Sequence, residues 1–227
     1  MIINAIIFGA TGMVGRAVML EALDSADVEN VLVINRRKID YAHPKLHEIV
    51  HDDFFDFSAL KEQLKEYNAC YFCLGVSSMG MKEEDYHRLT YDLTMAAATT
   101  LAEANPNMCF VYVSGTGTDS SEKGKMMWAR VKGKTENHFL KLPFRSVFMF
   151  RPGYIQPLRG IKSRVNLYNK LYEVFGFAYP LLKKLWPATF ISSVELGKAM
   201  LGVSRIGYSK SILESGDIAR AGRNVNT

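Results

Sequence analysis

The sequence predicts an α/β chain built on a doubly wound parallel sheet, with a small C-terminal cap on the substrate side. Three observations carry this. Short β-rich apolar runs alternate with longer stretches of helical period as far as about residue 150. A glycine-rich turn joins the first apolar run directly to the first helix. Beyond about residue 154 the periodicity weakens into a stretch of aromatics, prolines and basic residues.

Each element has its own signal. Ile2 to Phe8 is an apolar run that suits a strand buried on both faces. Gly12 to Leu23 carries Val14, Val18 and Ala22 on one helical face. Val31 to Ile34 and Glu48 to Val50 read as the second and third strands, and Ser58 to Tyr67 as a helix with Ser58 at its N-cap. Ala69 to Leu74 is the fourth strand. Glu83 to Glu103 is a long helix, with Pro106 shortly after its end. Cys109 to Val113, a helix over roughly Met126 to Lys141, and Ser146 to Phe150 continue the alternation. Val194 to Val203 reads as a helix, Ser211 to Leu213 as a last strand and Ala221 to Thr227 as a loose tail. No repeat or linker interrupts the chain, so residues 1–227 are expected to form one domain, with about 154–190 as the cap.

A chain of 227 residues can bury roughly 70% of its unfolded surface and needs neither metal nor disulfide to fold. Its 48% hydrophobic and 22% charged residues exclude a disordered chain, a collagen-like repeat and a disulfide miniprotein. Cys70 and Cys73 form a C-x-x-C, but on a strand they point to opposite faces about 10 Å apart. They are expected to be packed thiols. Gly9 arrives after only eight residues with no basic leader, and no apolar run approaches a membrane span; a cytoplasmic protein is predicted. The net charge of +5 gathers between His138 and Pro187, where Glu173 is the single acid, and reads as a solvated basic face.

Gly9-Ala10-Thr11-Gly12-Met13-Val14-Gly15 sits where strand becomes helix. Glycine permits the tight turn and lets backbone approach a pyrophosphate, and the helix start offers free N–H groups. These seven positions predict a dinucleotide cradle. The second strand ends in Asn35-Arg36-Arg37, where an NAD site usually places an acid and guanidinium groups suit a 2′-phosphate. NADP is therefore expected over NAD, with NAD still possible.

In order and spacing these motifs resemble the atypical, extended short-chain dehydrogenase/reductase superfamily over about residues 2–160. The resemblance is greatest to its HTATIP2-like branch and to bacterial NAD-dependent epimerase/dehydratase-family proteins. It implies a Rossmann fold, with Asp53-Phe54 near the adenine and Cys73-Leu74-Gly75 beside phosphates and ribose. It further implies cofactor contacts from Val113, Pro152 and Gly153. The family's reductive chemistry uses a Tyr-x-x-x-Lys helix and a strand-end serine, roles that fall here to Lys132 and Ser114. Four residues before Lys132, however, stands Trp128. Indole donates a hydrogen bond but cannot exchange a proton as an activated phenol does. Tyr154 is the first replacement proton donor, with Tyr86, His87 and Tyr91 behind it. Ser77, Ser78, Thr116 and Thr118 could orient a substrate.

Two functions stay open: an NADP-dependent oxidoreductase or epimerase-like enzyme on an unknown small molecule, and a dinucleotide-sensing regulator acting through a protein partner. A monomer or homodimer is expected. The Gly75-Val76-Ser77-Ser78-Met79-Gly80 run misses a hydrolase nucleophile elbow by one residue. No nucleic-acid-binding signature accompanies the basic segment. His43, His47, His51, His87 and His138 have no ligand partner at metal spacing, so no metal is predicted.

Overall fold

The computed structural model describes residues 1–161, 179, 181–186 and 189–223. Seven parallel strands form one sheet in the order β3-β2-β1-β4-β5-β6-β9. These are β1 (Ile3–Phe8), β2 (Val28–Asn35), β3 (Leu46–Val50), β4 (Ala69–Phe72), β5 (Cys109–Val113), β6 (Ser146–Arg151) and β9 (Ile212–Glu214). The chain runs outward from β1 to β3, then returns to the other side of β1 through β4. That reversal places a crevice at the carboxyl ends of β1 and β4, where open α/β sheets bind ligands.

Alternation along the strands builds two cores. Ile3, Ala5 and Ile7 of β1 face the layer of α1 (Met13–Asp24), whereas Ile6 and Phe8 face the opposite layer. In β4, Ala69 and Tyr71 share the first core, and Cys70 and Phe72 the second. Cys70 and Cys73 are thus free thiols packed on opposite faces, as their spacing requires. The second core is aromatic: Phe8 meets Phe57 at 5.5 Å between ring centroids and Phe72 at 5.1 Å.

Several elements differ from expectation. Ser58 is not a helix cap; its own N–H donates to Asp56 Oδ1 at 2.8 Å, and a short 3₁₀ turn (Ser58–Leu60) leads into α2 (Lys61–Leu64). The long helix divides into α3 (Glu83–His87), a π-helical turn (Arg88–Asp92) and α4 (Leu93–Ala104). Then come α5 (Met127–Phe139), α6 (Ser193–Ile206) with a Ser192/Glu195 capping box, and α7 (Ser215–Arg223). The expected tail from Ala221 is instead the end of α7, where Ala221 is buried. Residues 224–227 lie outside the described residues. Two three-residue strands, β7 (Tyr154–Gln156) and β8 (Phe190–Ser192), pair in parallel as a second sheet. Most of the expected cap between them, with Lys162, Arg164 and Lys170, falls outside the described residues.

Candidate functional site

The glycine turn closes on itself. Gly12 N–H donates to Gly9 O at 2.8 Å, and Gly9 adopts φ +81°, a left-handed conformation that favours glycine. A Cβ on Gly9 would lie 2.9 Å from the Cys73 carbonyl group, so this turn lies flat against the end of β4. A Cβ on Gly15 would lie 2.2 Å from Gly9 O. Gly12 caps α1 in extended conformation and makes no side-chain hydrogen bond to the helix start. The positive end of a helix is what an anion requires. Met13 and Val14 turn inward and pack against the first core.

An open cavity of about 710 Å³ adjoins this turn, lined by Thr11, Gly12, Arg16, Lys38, Tyr41 and Arg159 among others. Asn35 is buried and its amide donates to Glu48 Oε1 at 3.2 Å, which fixes the end of β2. Arg36 and Arg37 follow it, exposed and without an ion pair among the described residues. Asp53 sits on the surface, its carboxylate accepting from Phe55 N–H at 2.9 Å. Phe54 is buried in the aromatic core at 6.4 Å from Phe8, so only its backbone faces outward groups. Cys73 N–H donates to Phe8 O, Leu74 packs on the second core, and Gly75 opens onto solvent.

At the neighbouring strand end, one face of α5 carries Trp128, Lys132 and Glu136 at successive turns. Trp128 is half-buried, its ring 3.3 Å from where a Cβ on Gly117 would stand. It therefore lies over the loop that leaves β5, outside the core. The Lys132 ammonium donates to the carbonyl of Ser114. Glu136 is fully buried and accepts from Arg151 through Nε at 3.0 Å and Nη2 at 2.5 Å. Ser114 is buried, and its hydroxyl lies within hydrogen-bond reach of two acceptors, Glu136 Oε1 at 2.5 Å and Phe150 O at 3.2 Å. The serine and Glu136 belong to one buried network, and what Ser114 offers Lys132 is its carbonyl. Thr116 is the exposed hydroxyl at this edge; it donates to Arg151 O at 3.1 Å. Val113 is packed against the first core.

Arg151-Pro152-Gly153 closes the site from the other side. Pro152 O accepts from Thr116 N–H at 3.0 Å, and Gly153 N–H donates to Ser215 Oγ at 2.7 Å. Tyr154 follows at once, half-buried, its hydroxyl donating to Gln156 Oε1 at 2.7 Å. The remaining proton-donor candidates are placed elsewhere. Tyr86 is buried, and burial raises its pKa. Tyr91 pairs with His138 Nδ1 at 2.9 Å and His87 with Lys134 at 3.0 Å. Lys134 projects about 200° round the helix from Lys132, so that cluster occupies a different face.

The solvated basic face is also corrected in part. Arg151 pairs with Glu136, Arg159 with Glu21 and Asp24, and Lys183 with Glu195. The sequence motifs alone point to neither Glu136 nor Arg151. The available signal was Glu136 standing one turn beyond Lys132, on the same face as Trp128.

Burial pushes the Lys132 ammonium down to about 8, partly opposed by the Glu136 carboxylate. Between that value and 10.5 the unfolded chain holds more protons at this position than the folded one, so stability rises with pH across the window. Thermal melts from pH 8 to pH 10 should show wild type gaining on Lys132→Met. Parallel pH profiles would contradict this placement of the ammonium.

Comparison with known proteins agrees with this geometry. The NAD(P)H-binding family matches residues 9–139, more than half of the chain, and the chain belongs to it. It is 25% identical to the Candida albicans protein FMP52, mitochondrial, over 94% of this chain and 95% of that one. It is 26% identical to HTATIP2 of Rattus norvegicus over 67% of this chain and 62% of that protein. The fold is shared with the Bordetella bronchiseptica enzyme WbmF in complex with NAD+ and UDP, at a TM-score of 0.64 and 15% identity, covering 99% of this chain and 77% of that one. The chain is thus an NAD(P)H-binding family protein that shares its fold with an NAD-bound enzyme. The cytoplasmic expectation is overturned, because the FMP52 relatives are named mitochondrial. Among the described residues no helix is long and apolar enough to cross a membrane, and no three His, Cys, Asp or Glu side chains cluster as a metal site.

Proposed function

We propose that the chain is an NADP(H)-dependent oxidoreductase or epimerase-like enzyme on a small molecule, working without the usual tyrosine. The observation that carries this reading is the face of α5, with Trp128 over the β5 loop and Lys132 one turn on at the Ser114 carbonyl. When bound, the nicotinamide supplies or accepts a hydride at C4. The chain's part is to hold and to protonate. The glycine turn and the start of α1 receive the pyrophosphate, and the Lys132 ammonium holds the ribose beside the nicotinamide. The Thr116 hydroxyl orients the substrate oxygen. Tyr154, on the far lip of the same edge, supplies the proton.

Arg36 and Arg37 favour the 2′-phosphate. Their charge-assisted contacts should contribute on the order of 1.5–3 kcal/mol, a preference of at least about tenfold for NADPH over NADH. Titration calorimetry should register it, and the Arg36→Ala, Arg37→Ala double variant should abolish it. An unchanged preference would remove the assignment.

The enzyme reading is tested by NADPH oxidation over a panel of carbonyl compounds. Wild type should turn over slowly, and Trp128→Tyr should raise the rate by about a hundredfold, since a positioned general acid contributes 10²–10⁴-fold. Fast wild-type turnover that survives Trp128→Phe would discard Trp128 as the altered catalytic position. The indole also favours a second reading, a regulator that senses the dinucleotide. Tight cofactor binding with no oxidation by either protein would select that one.

A further inference from the structure

The cavity beside the glycine turn has one wall that comes from far along the chain. Gly12, Arg16 and Leu20 run down one flank of α1, a span of about 12 Å at helical rise. The loop that leaves β2 forms the first wall, with Lys38 and Tyr41, and the Arg16 guanidinium lies 4.5 Å over the Tyr41 ring. Arg159, Gly160 and Ile161, which follow β7, form the second wall. They lie beyond residues 9–139, the stretch that matches the NAD(P)H-binding family.

This second wall is held in place against its own backbone preference. Arg159 and Gly160 are both left-handed, at φ +60° and +71°, and Ile161 N–H donates to Leu158 O at 3.2 Å. Residues 158–161 therefore make a tight turn with positive φ at both central positions. Glycine accepts that conformation. Arginine is strained in it, and a strained residue persists only where its surroundings fix it. Here they do: Arg159 pairs with Glu21 at 2.8 Å and Asp24 at 2.7 Å, both on α1. Leu158 N–H donates to Ser193 Oγ, at the start of α6, at 3.0 Å, and Ile161 packs against the first core. With two carboxylates on it, the Arg159 guanidinium adds little net positive charge to the cavity. Its role is that of an anchor.

We propose that the 158–161 turn is the outer wall of the adenosine end of the dinucleotide site, and that Arg159 is the residue that positions it. This rests on reading the glycine turn as an NADP(H) cradle. The adenosine end is indicated because the first wall leaves β2, the strand whose end meets the adenosine ribose in such sites. Arg159 acts through Gly160 and Ile161, which it holds against the flank of α1. Cofactor affinity thereby depends on chain that follows β7, outside the glycine turn and its neighbouring strands.

Calorimetry on the full chain tests this with NADP+ and with adenosine 2′,5′-bisphosphate, which carries only the adenosine end. Arg159→Ala should weaken both about tenfold, the scale of losing a preorganised wall. Arg159→Lys keeps one cation for the two carboxylates and should recover part of the loss. The Glu21→Gln, Asp24→Asn double variant separates an anchor from a charge. It leaves the guanidinium in place and removes two negative charges, so by charge alone it would bind the bisphosphate more tightly. Loss of the anchor predicts weaker binding instead. Thermal melts show that each variant is folded. Tighter or unchanged binding in the double variant, or wild-type affinity in folded Arg159→Ala, would overturn the proposal. Wild type that binds NADP+ but not the bisphosphate would overturn it too. Wild type that does not bind NADP+ would overturn the cofactor reading itself, and the proposal with it.

Discussion

Gly12→Val is expected to fold normally and to lose dinucleotide affinity by at least about a hundredfold, the scale of forcing a branched side chain into a filled contact. Gly12 has φ −88° and ψ 167°, extended backbone that any residue adopts. A Cβ there meets only Gly9 O at 3.3 Å, a contact the turn can absorb with a small shift. The rest of the valine has nowhere to go but the space in front of the helix start, where the pyrophosphate must approach. Gly15→Val makes a useful contrast. Its Cβ would lie 2.2 Å from Gly9 O and 2.9 Å from Ala10 N, so backbone itself must move. That variant should lose thermal stability and binding together. Calorimetry with NADPH and a thermal melt distinguish the pair; wild-type affinity in folded Gly12→Val would refute the cradle.

Glu136→Ala should produce the largest loss of stability. The carboxylate is fully buried, neutralises Arg151 and accepts the Ser114 hydroxyl. Removing it leaves a guanidinium whose side chain is only 11% exposed with the half-exposed Glu214, at 3.4 Å, as its remaining counter-charge. Breaking a buried pair by deleting one partner costs about 3–5 kcal/mol, which for a chain of this size lowers Tm on the order of 10 °C. Ser114→Ala removes one neutral donor and should cost far less, with the backbone carbonyl still in place for Lys132. A melt of Glu136→Ala unchanged from wild type would show that the network does not hold β5, α5 and β6 together.

The sheet was legible because its signals are local. Two-sided strands such as Ile3–Phe8 read as unbroken apolar runs, and the glycine turn carries its geometry in its own residues. What escaped depends on partners distant in sequence. The Ser114 hydroxyl has its two acceptors on Glu136, 22 residues on, and Phe150, 36 residues on, so its match to a family position gave no guide to its surroundings. The basic stretch read as solvated because Arg159 finds Glu21 across 138 residues. Strands β7 and β8 hold three residues each, too few for a period to show, and exist by pairing with each other. Ser58 was a plausible cap by type, but Asp56 supplies the acceptor. The π-helical turn adds one residue per turn without changing the apolar spacing enough to mark it.

The account turns on where the nicotinamide lies, and a crystal structure of the NADPH complex measures that directly. The expected result places the ring in van der Waals contact with Trp128 and the ribose hydroxyls on Lys132 Nζ, with the 2′-phosphate against Arg36 and Arg37. A nicotinamide directed away from Trp128, with Lys132 still bound only to the Ser114 carbonyl, would contradict it.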